Sequence, residues 1–382
     1  MLYICLPLPF LHFEQIHGAY PVYKFSSWSS SSDAMQFCHL IFVCFSLYSQ
    51  VFGTCGSARI TAQADADELS SCPTITGNVV LATNAVGSIK LDGVVSIEGN
   101  LTSEQCDSVG QADQLGYLPT DQNIYTVYTE HNCTGLLSLS SSTLTSVSQN
   151  FSLQGLLNIT NVTLPLLKSV GTNLYLDGLP ALSTFSAPDL SSMESLHLAY
   201  AQNLTTLGID KIANVSSVEF NDVGLTALPD VSAVTEIGYF AAGGMPNIRQ
   251  LILTTPTIDT LVVNGNGFLD LWLFNSETDA AIANISTLSV SGCSFLHSDS
   301  AMSIDTLTAV GNSFLDLSFY SVNISNIFLQ NNAQLSSITW PKNGTSMDTV
   351  VVTGNPLLLQ TVWTLKNVTS IILKGSFGSG FL

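Results

Sequence analysis

Positive charge is what this sequence has least of. Only 9 Lys plus Arg stand against 28 Asp plus Glu, giving a net charge of −19. Nucleic-acid binding needs clustered basic residues to replace phosphate counterions, so that class is excluded. Adhesion to an anionic membrane surface is excluded on the same ground. Charge of either sign is scarce. Charged residues make up 10% of the chain, less than half the usual share of about 25%. Outside the cell, Ser, Thr, Asn and sugar keep such a surface soluble. The sparse acids show no metal-ligand spacing and read as a solvated surface.

Catalytic motifs are missing as well. The chain contains no G-x-G-x-x-G, phosphate loop, H-E-x-x-H, C-x-x-C or G-x-S-x-G string. His131, His197 and His297 lie far apart and form no metal-ligand pair. A β-helix enzyme acting on acidic polysaccharide would need a basic cleft. The available cations (Arg59, Lys90, Lys168, Lys211, Arg249, Lys342, Lys366 and Lys374) are scattered. Asp270 and Asp316 share a repeat position, which allows a carboxylate pair across rungs; they read more readily as corner residues. No enzyme activity, cofactor or metal is expected.

Long apolar runs are absent too. The longest, FCHLIFVCFSLYSQVF (37–52), is short for a span of about 20 residues and suits a signal-peptide core. It lies far from Met1. The expected organisation is therefore a leader over 1–34 upstream of a true start at Met35, then a signal peptide over 35–53. A cap with the first rungs follows over 54–135, and regular repeats over 136–382. The signal segment has no basic n-region, and an uncleaved signal anchor is the alternative.

What the chain does have is a returning phrase. LYLDGLPALSTF (174–185) is followed 22 residues later by LHLAYAQNLTTL (196–207), and VEFNDVGLTAL (218–228) repeats it with one residue dropped. Counting the first apolar residue as zero, apolar groups fall at zero, two, eight and eleven. The opening alternation is a strand period. A fixed step of about 20–50 residues signals a solenoid, propeller or array. The spacing loosens over 229–260 and returns at 261–272, 288–298, 307–318, 327–338 and 350–362. Steps this short leave no room for an amphipathic helix inside a turn. Each turn is therefore strand and tight corner.

Position five carries Asn266, Asn312, Asn332 and Asn355, three of them after a Gly. A Gly-Asn pair after a strand makes a sharp corner. Stacked rungs place these amides about 4.8 Å apart, where they satisfy buried backbone groups of the corners. Cys293 takes the same place, as the leucine-rich-repeat pattern allows, and reads as a buried structural thiol. Position one faces outward. It holds Tyr175, His197 and Glu219 on successive strands, read either as a solvated face or as a recognition strip: a ring for stacking on sugar or aromatic groups, flanked by hydrogen-bonding groups.

Eleven N-x-Ser/Thr sequons occur, at Asn100, Asn132, Asn150, Asn158, Asn161, Asn203, Asn214, Asn284, Asn323, Asn343 and Asn367. Each is a glycan acceptor if the chain is secreted and the site exposed. Four cysteines cluster before the regular repeats. In a secreted chain they read as disulfides. The expected pairs are Cys55 with Cys72 and Cys106 with Cys133, although sequence alone leaves connectivity open. Between the first two, QADADELSS has helical propensity, and Asp65 or Asp67 can cap its start. A helix there would cover the solenoid's open end.

ARITAQADADELSSCPTITGNVVLA (58–82) and LDGVVSIEGNL (91–101) resemble the N-terminal motifs of the fungal GPI-anchored cell-wall organisation proteins with receptor-L-domain-like repeats. The matching positions are Cys55, Ile60, Gln63, Ala64, Asp65, Cys72, Ile75, Gly77 and Asn78. The resemblance runs from about residue 55 to the end. It implies a secreted, glycosylated surface protein supporting wall organisation and integrity, with wall polysaccharide or wall glycoproteins as partners and no catalytic residues. It also implies a GPI anchor, but the chain stops at KGSFGSGFL (374–382) without the hydrophobic tail such a signal needs. A truncated or atypical member is the expectation.

The fold expected is an all-β, right-handed parallel β-solenoid of L-domain or leucine-rich-repeat-like type with a short N-terminal capping helix. A ligand-binding ectodomain related to receptor L domains is the alternative function, and a carbohydrate-active β-helix enzyme the third.

Overall fold

Each apolar-x-apolar opening of the phrase becomes a strand, and equivalent strands pair in parallel with the next copy. Fourteen of them form one parallel sheet running from Ala58–Ile60 to Asn367–Lys374. The computed structural model describes residues 55–104, 133–253, 255–265, 270–275, 280–297, 302–319, 322–340, 346–358, 360–362 and 367–375. The leader and signal segments, Cys106, His131, Asn132, Asn266 and Asn343 lie outside the described residues.

Register is set by the apolar positions, because a slip of one residue would turn the whole inward set to solvent. Leu174 stands beside Leu196, Leu196 beside Val218, Val218 beside Phe240, Phe240 beside Leu261, and Leu261 beside Leu288. All are fully buried. Each step removes an aliphatic or aromatic side chain from water, worth about 1.5–3 kcal/mol. Successive rungs thereby build one continuous core.

The other walls of the solenoid come from shorter strands. One side sheet has five parallel strands and ends at Thr206–Gly208; another begins at Gln250–Ile252. A four-stranded sheet through Ser169–Val170 covers only the N-terminal turns. Asp270–Trp272 and Asp316–Ser318 belong to different side sheets, and Phe295–His297 pairs with the first of them. Asp270 and Asp316 therefore form no carboxylate pair. Asp316 instead accepts hydrogen bonds from the Ser336 and Ser337 hydroxyls of the next rung.

The loosened stretch holds a full main-sheet strand, Glu236–Gly243. Its inward positions are Phe240 and the buried Ala242. A small alanine where most rungs carry Leu, Val or Phe weakens the sequence signal while keeping the register.

The N-terminal end is closed by the helix Gln63–Glu68. Of the two expected capping residues, Asp65 holds its start. Ala62 is the boundary residue, and the Asp65 carboxylate, inside the first turn, accepts from the Thr61 N–H at 2.6 Å, the Thr61 hydroxyl at 2.6 Å and the Ala62 N–H at 3.1 Å. These bonds hold its carboxyl below the usual range. Asp67 instead accepts from Gln63 within the helix. A disulfide joins Cys55 to Cys72, with Cα atoms 5.9 Å apart. Cys133 is disulfide-bonded as well.

Candidate recognition face

Asn312, Asn332 and Asn355 form the inward ladder. Each Oδ1 accepts the backbone N–H one rung back: Cys293 to Asn312 at 2.9 Å, Asn312 to Asn332 at 3.0 Å and Asn332 to Asn355 at 2.9 Å. Each Nδ2 donates to a strand carbonyl of the same preceding rung, Val290, Ala309 and Leu329 in turn. The three amides are buried. Among the described residues Cys293 is the first member of the ladder. Its thiol is buried, donates to the Ser291 carbonyl at 3.6 Å, and is pushed by burial up to about 12. It is a structural thiol in this fold.

A second ladder, missed in the sequence, stands one residue before the first N-terminal strands. Asn100 donates through Nδ2 to Asn78 Oδ1 and Gln149 Oε1, both at 3.0 Å. Asn150 donates through Nδ2 to Asn100 Oδ1 at 2.9 Å, and its own Oδ1 accepts from Thr172 and Asn173. The signal was present, since Asn78 and Asn100 both follow Gly. The sequon reading of Asn100 and Asn150 obscured it.

The outward column is brought together as the register requires: Tyr175 stands beside His197, and His197 beside Glu219. The Tyr175 and His197 rings stack with centroids 4.2 Å apart and planes within 4°. His197 Nδ1 lies 2.9 Å from Glu219 Oε2. The Tyr175 hydroxyl donates to Asp177 Oδ2 at 3.2 Å. The three column residues are half-buried. Instead of separate solvated groups they form one pre-positioned row: a carboxylate, two stacked rings and a second carboxylate.

Two further residues, Tyr200 and Asp222, stand at the corners of the rungs that carry His197 and Glu219. Position four of each rung turns the corner, and most rungs place Gly there at positive φ, such as Gly178 at 63°, Gly244 at 59° and Gly311 at 64°. On the two rungs that carry His197 and Glu219, the corner residues are Tyr200 at φ 50° and Asp222 at φ 53°. Asn331 takes the same place at φ 56°; Asp and Asn tolerate that region, so the strained corner is Tyr200, a bulky residue at positive φ, disfavoured by about 1–2 kcal/mol. Such strain clusters at functional sites. Tyr200 is 45% exposed. Partial burial, and then the nearby Asp177 and Asp222 carboxylates, push its phenol upward; burial followed by Glu219 does the same to Tyr239. Burial likewise raises the Asp177 carboxyl, with the neighbouring His197 and the Tyr175 hydroxyl opposing it. Gln202 donates to Asp222 at 2.6 Å.

The face therefore presents aromatic rings, carboxylates and amides, with His197 as the basic group of the row. Rings stack on the C–H faces of sugars, and carboxylates and amides accept from hydroxyls. Among the described residues no group of three His, Cys, Asp or Glu is arranged to hold a metal. No described helix is long and apolar enough to cross a membrane. An open depression of about 520 Å³ lies elsewhere, at the break in the side sheets, lined by Thr226, Ile248, Arg249, Gln250, Ile252 and Asp270. It gathers no nucleophile–base pair.

Fold and face together define a parallel β-solenoid with an internal asparagine ladder and an aromatic–carboxylate outer surface. No family model matches the chain, and no solved structure matches it. Two curated proteins do. Protein ecm33 of Aspergillus fumigatus is 25% identical to it over 237 residues, 60% of this chain and 47% of that protein. The chain thus spans about half the length of the relative it matches. The similarity bears out the resemblance read from residues 58–101.

Proposed function

We propose that this chain is a non-enzymatic, secreted glycoprotein of the fungal cell surface that supports cell-wall organisation. The rigid solenoid is the scaffold. Its row of Tyr175, His197, Tyr200 and Glu219 holds wall polysaccharide or wall glycoprotein by non-covalent contact. Similarity to protein ecm33 over 237 residues carries the cell-wall part of this reading. The stacked and hydrogen-bonded row, with Tyr200 held outward at positive φ, supports the binding part.

The test is made in a fungus from which the gene is deleted. Restored resistance to wall-perturbing dyes on re-expression is the expected result. Unchanged dye sensitivity with and without the gene would contradict the wall role. Release of new reducing ends from any wall polysaccharide by the purified chain would contradict the non-enzymatic part. The second reading, a soluble-ligand-binding ectodomain of receptor-L type, is favoured by the same row. It predicts saturable binding of a small glycan and no retention on insoluble wall.

A further inference from the structure

The C-terminal half of the main sheet repeats every two rungs rather than every one. Its strands open with TIDTL (257–261), NISTL (284–288), SIDTL (303–307), NISNI (323–327), SMDTV (346–350) and NVTSI (367–371). Sequon rungs alternate with aspartate rungs without exception. Register places the first residues in one column: Thr257 beside Asn284, Asn284 beside Ser303, Ser303 beside Asn323, and Ser346 beside Asn367. Asn284, Asn323 and Asn367 are all exposed. The following Ile285 and Ile324 are buried, so the strand is anchored while the asparagine points to solvent.

The two-rung period has a physical reason. Neighbouring rungs are about 4.8 Å apart, and two rungs about 9.6 Å. Sugars on adjacent rungs would collide, whereas sugars two rungs apart have room. The intervening Asp259, Asp305 and Asp348 are likewise kept two rungs from one another, which lowers like-charge repulsion. The two sequon asparagines of the N-terminal ladder are built differently. Asn100 uses both Nδ2 hydrogens, on Asn78 and Gln149, and Asn150 uses its Nδ2 on Asn100. A glycan replaces one of those hydrogens and would break the Asn100 pair.

We propose that N-glycans occupy Asn284, Asn323 and Asn367 as a fence on alternate rungs along one margin of the sheet, and that Asn100 and Asn150 stay unmodified because they are structural. This rests on the reading of the chain as a secreted glycoprotein. The fence leaves the Tyr175 row bare, because no sequon stands in its column.

Site-resolved mass spectrometry of glycopeptides from the full chain, secreted by a fungal host, tests this. The expected result is glycan at Asn284, Asn323 and Asn367 and bare amide at Asn100 and Asn150. Occupancy at Asn100 or Asn150, or an empty Asn284, Asn323 or Asn367 while other sequons are filled, overturns the fence. No glycan on any of the eleven sequons overturns the secreted-glycoprotein reading, and the fence with it.

Discussion

Asn332 shows how much a single amide does in this fold. It accepts from the Asn312 N–H and donates to the Ala309 carbonyl, all out of water. Asn332→Ala orphans both groups, each at about 1–3 kcal/mol. Urea denaturation should show a loss of about 3 kcal/mol or more; a loss under 1 kcal/mol would mean that water replaces the ladder. Cys293 gives the converse. A thiol pushed up to about 12 is not a thiolate at neutral pH, so the folded chain should resist alkylation there and react only after unfolding. Tyr200 is the residue where stability and function oppose each other. Tyr200→Gly removes a left-handed penalty of about 1–2 kcal/mol and adds chain entropy of about 0.5–1 kcal/mol. The variant should gain roughly 0.5 kcal/mol in thermal or urea unfolding and lose affinity for wall material. The ladder was legible in the sequence because Asn or Cys recurs at one position after a strand. Tyr200 and Asp222 were not, because a corner's demand for positive φ shows only when the rungs are aligned and three such corners carry Tyr200, Asp222 and Asn331 in place of glycine.

The N-terminal cap is the element on which acid should act first. Glu104 accepts from Arg59 at 2.6 Å and from the Thr83 N–H at 2.9 Å, and these hold its carboxyl at about 2. Asp65, lowered by Thr61 and Ala62, holds the helix start. Both groups have folded values below their unfolded ones, so their contribution is full above the usual carboxylate range and is lost as pH falls through the folded values. Hydrogen exchange at residues 58–72 should therefore accelerate as pH approaches about 2, after correction for the intrinsic rate, before exchange in the central rungs does. Equal acceleration everywhere would contradict a locally weaker cap. The existence of this helix was readable from QADADELSS between two cysteines. Asp65 was one of two residues the sequence offered for its start; the choice between Asp65 and Asp67 was not readable, because Asp65 acts backward from inside the first turn. The strand Glu236–Gly243 was hidden for a different reason: alanine and glycine satisfy a parallel sheet's register without advertising apolar periodicity.

At the scale of the whole molecule the solenoid divides its labour between faces. The inward face is apolar and amide-laddered, one margin alternates sequons with aspartates, and the middle of the outer sheet carries the ring–carboxylate row. The fold class was legible because the period is short and the core positions strict. The partner was not, since two rings and an acid on a strand face read as a solvated surface until stacking at 4.2 Å and the 2.9 Å His197–Glu219 contact join them. The most direct measurement is co-sedimentation of the purified chain with isolated fungal wall, alongside a Tyr175→Ala, Tyr200→Gly, Glu219→Ala variant with an unchanged circular dichroism spectrum. The account predicts that the parent chain sediments with the wall and the variant stays in solution, a change of about tenfold or more in the bound fraction's half-point. Equal sedimentation of the two, or none of either, would contradict it.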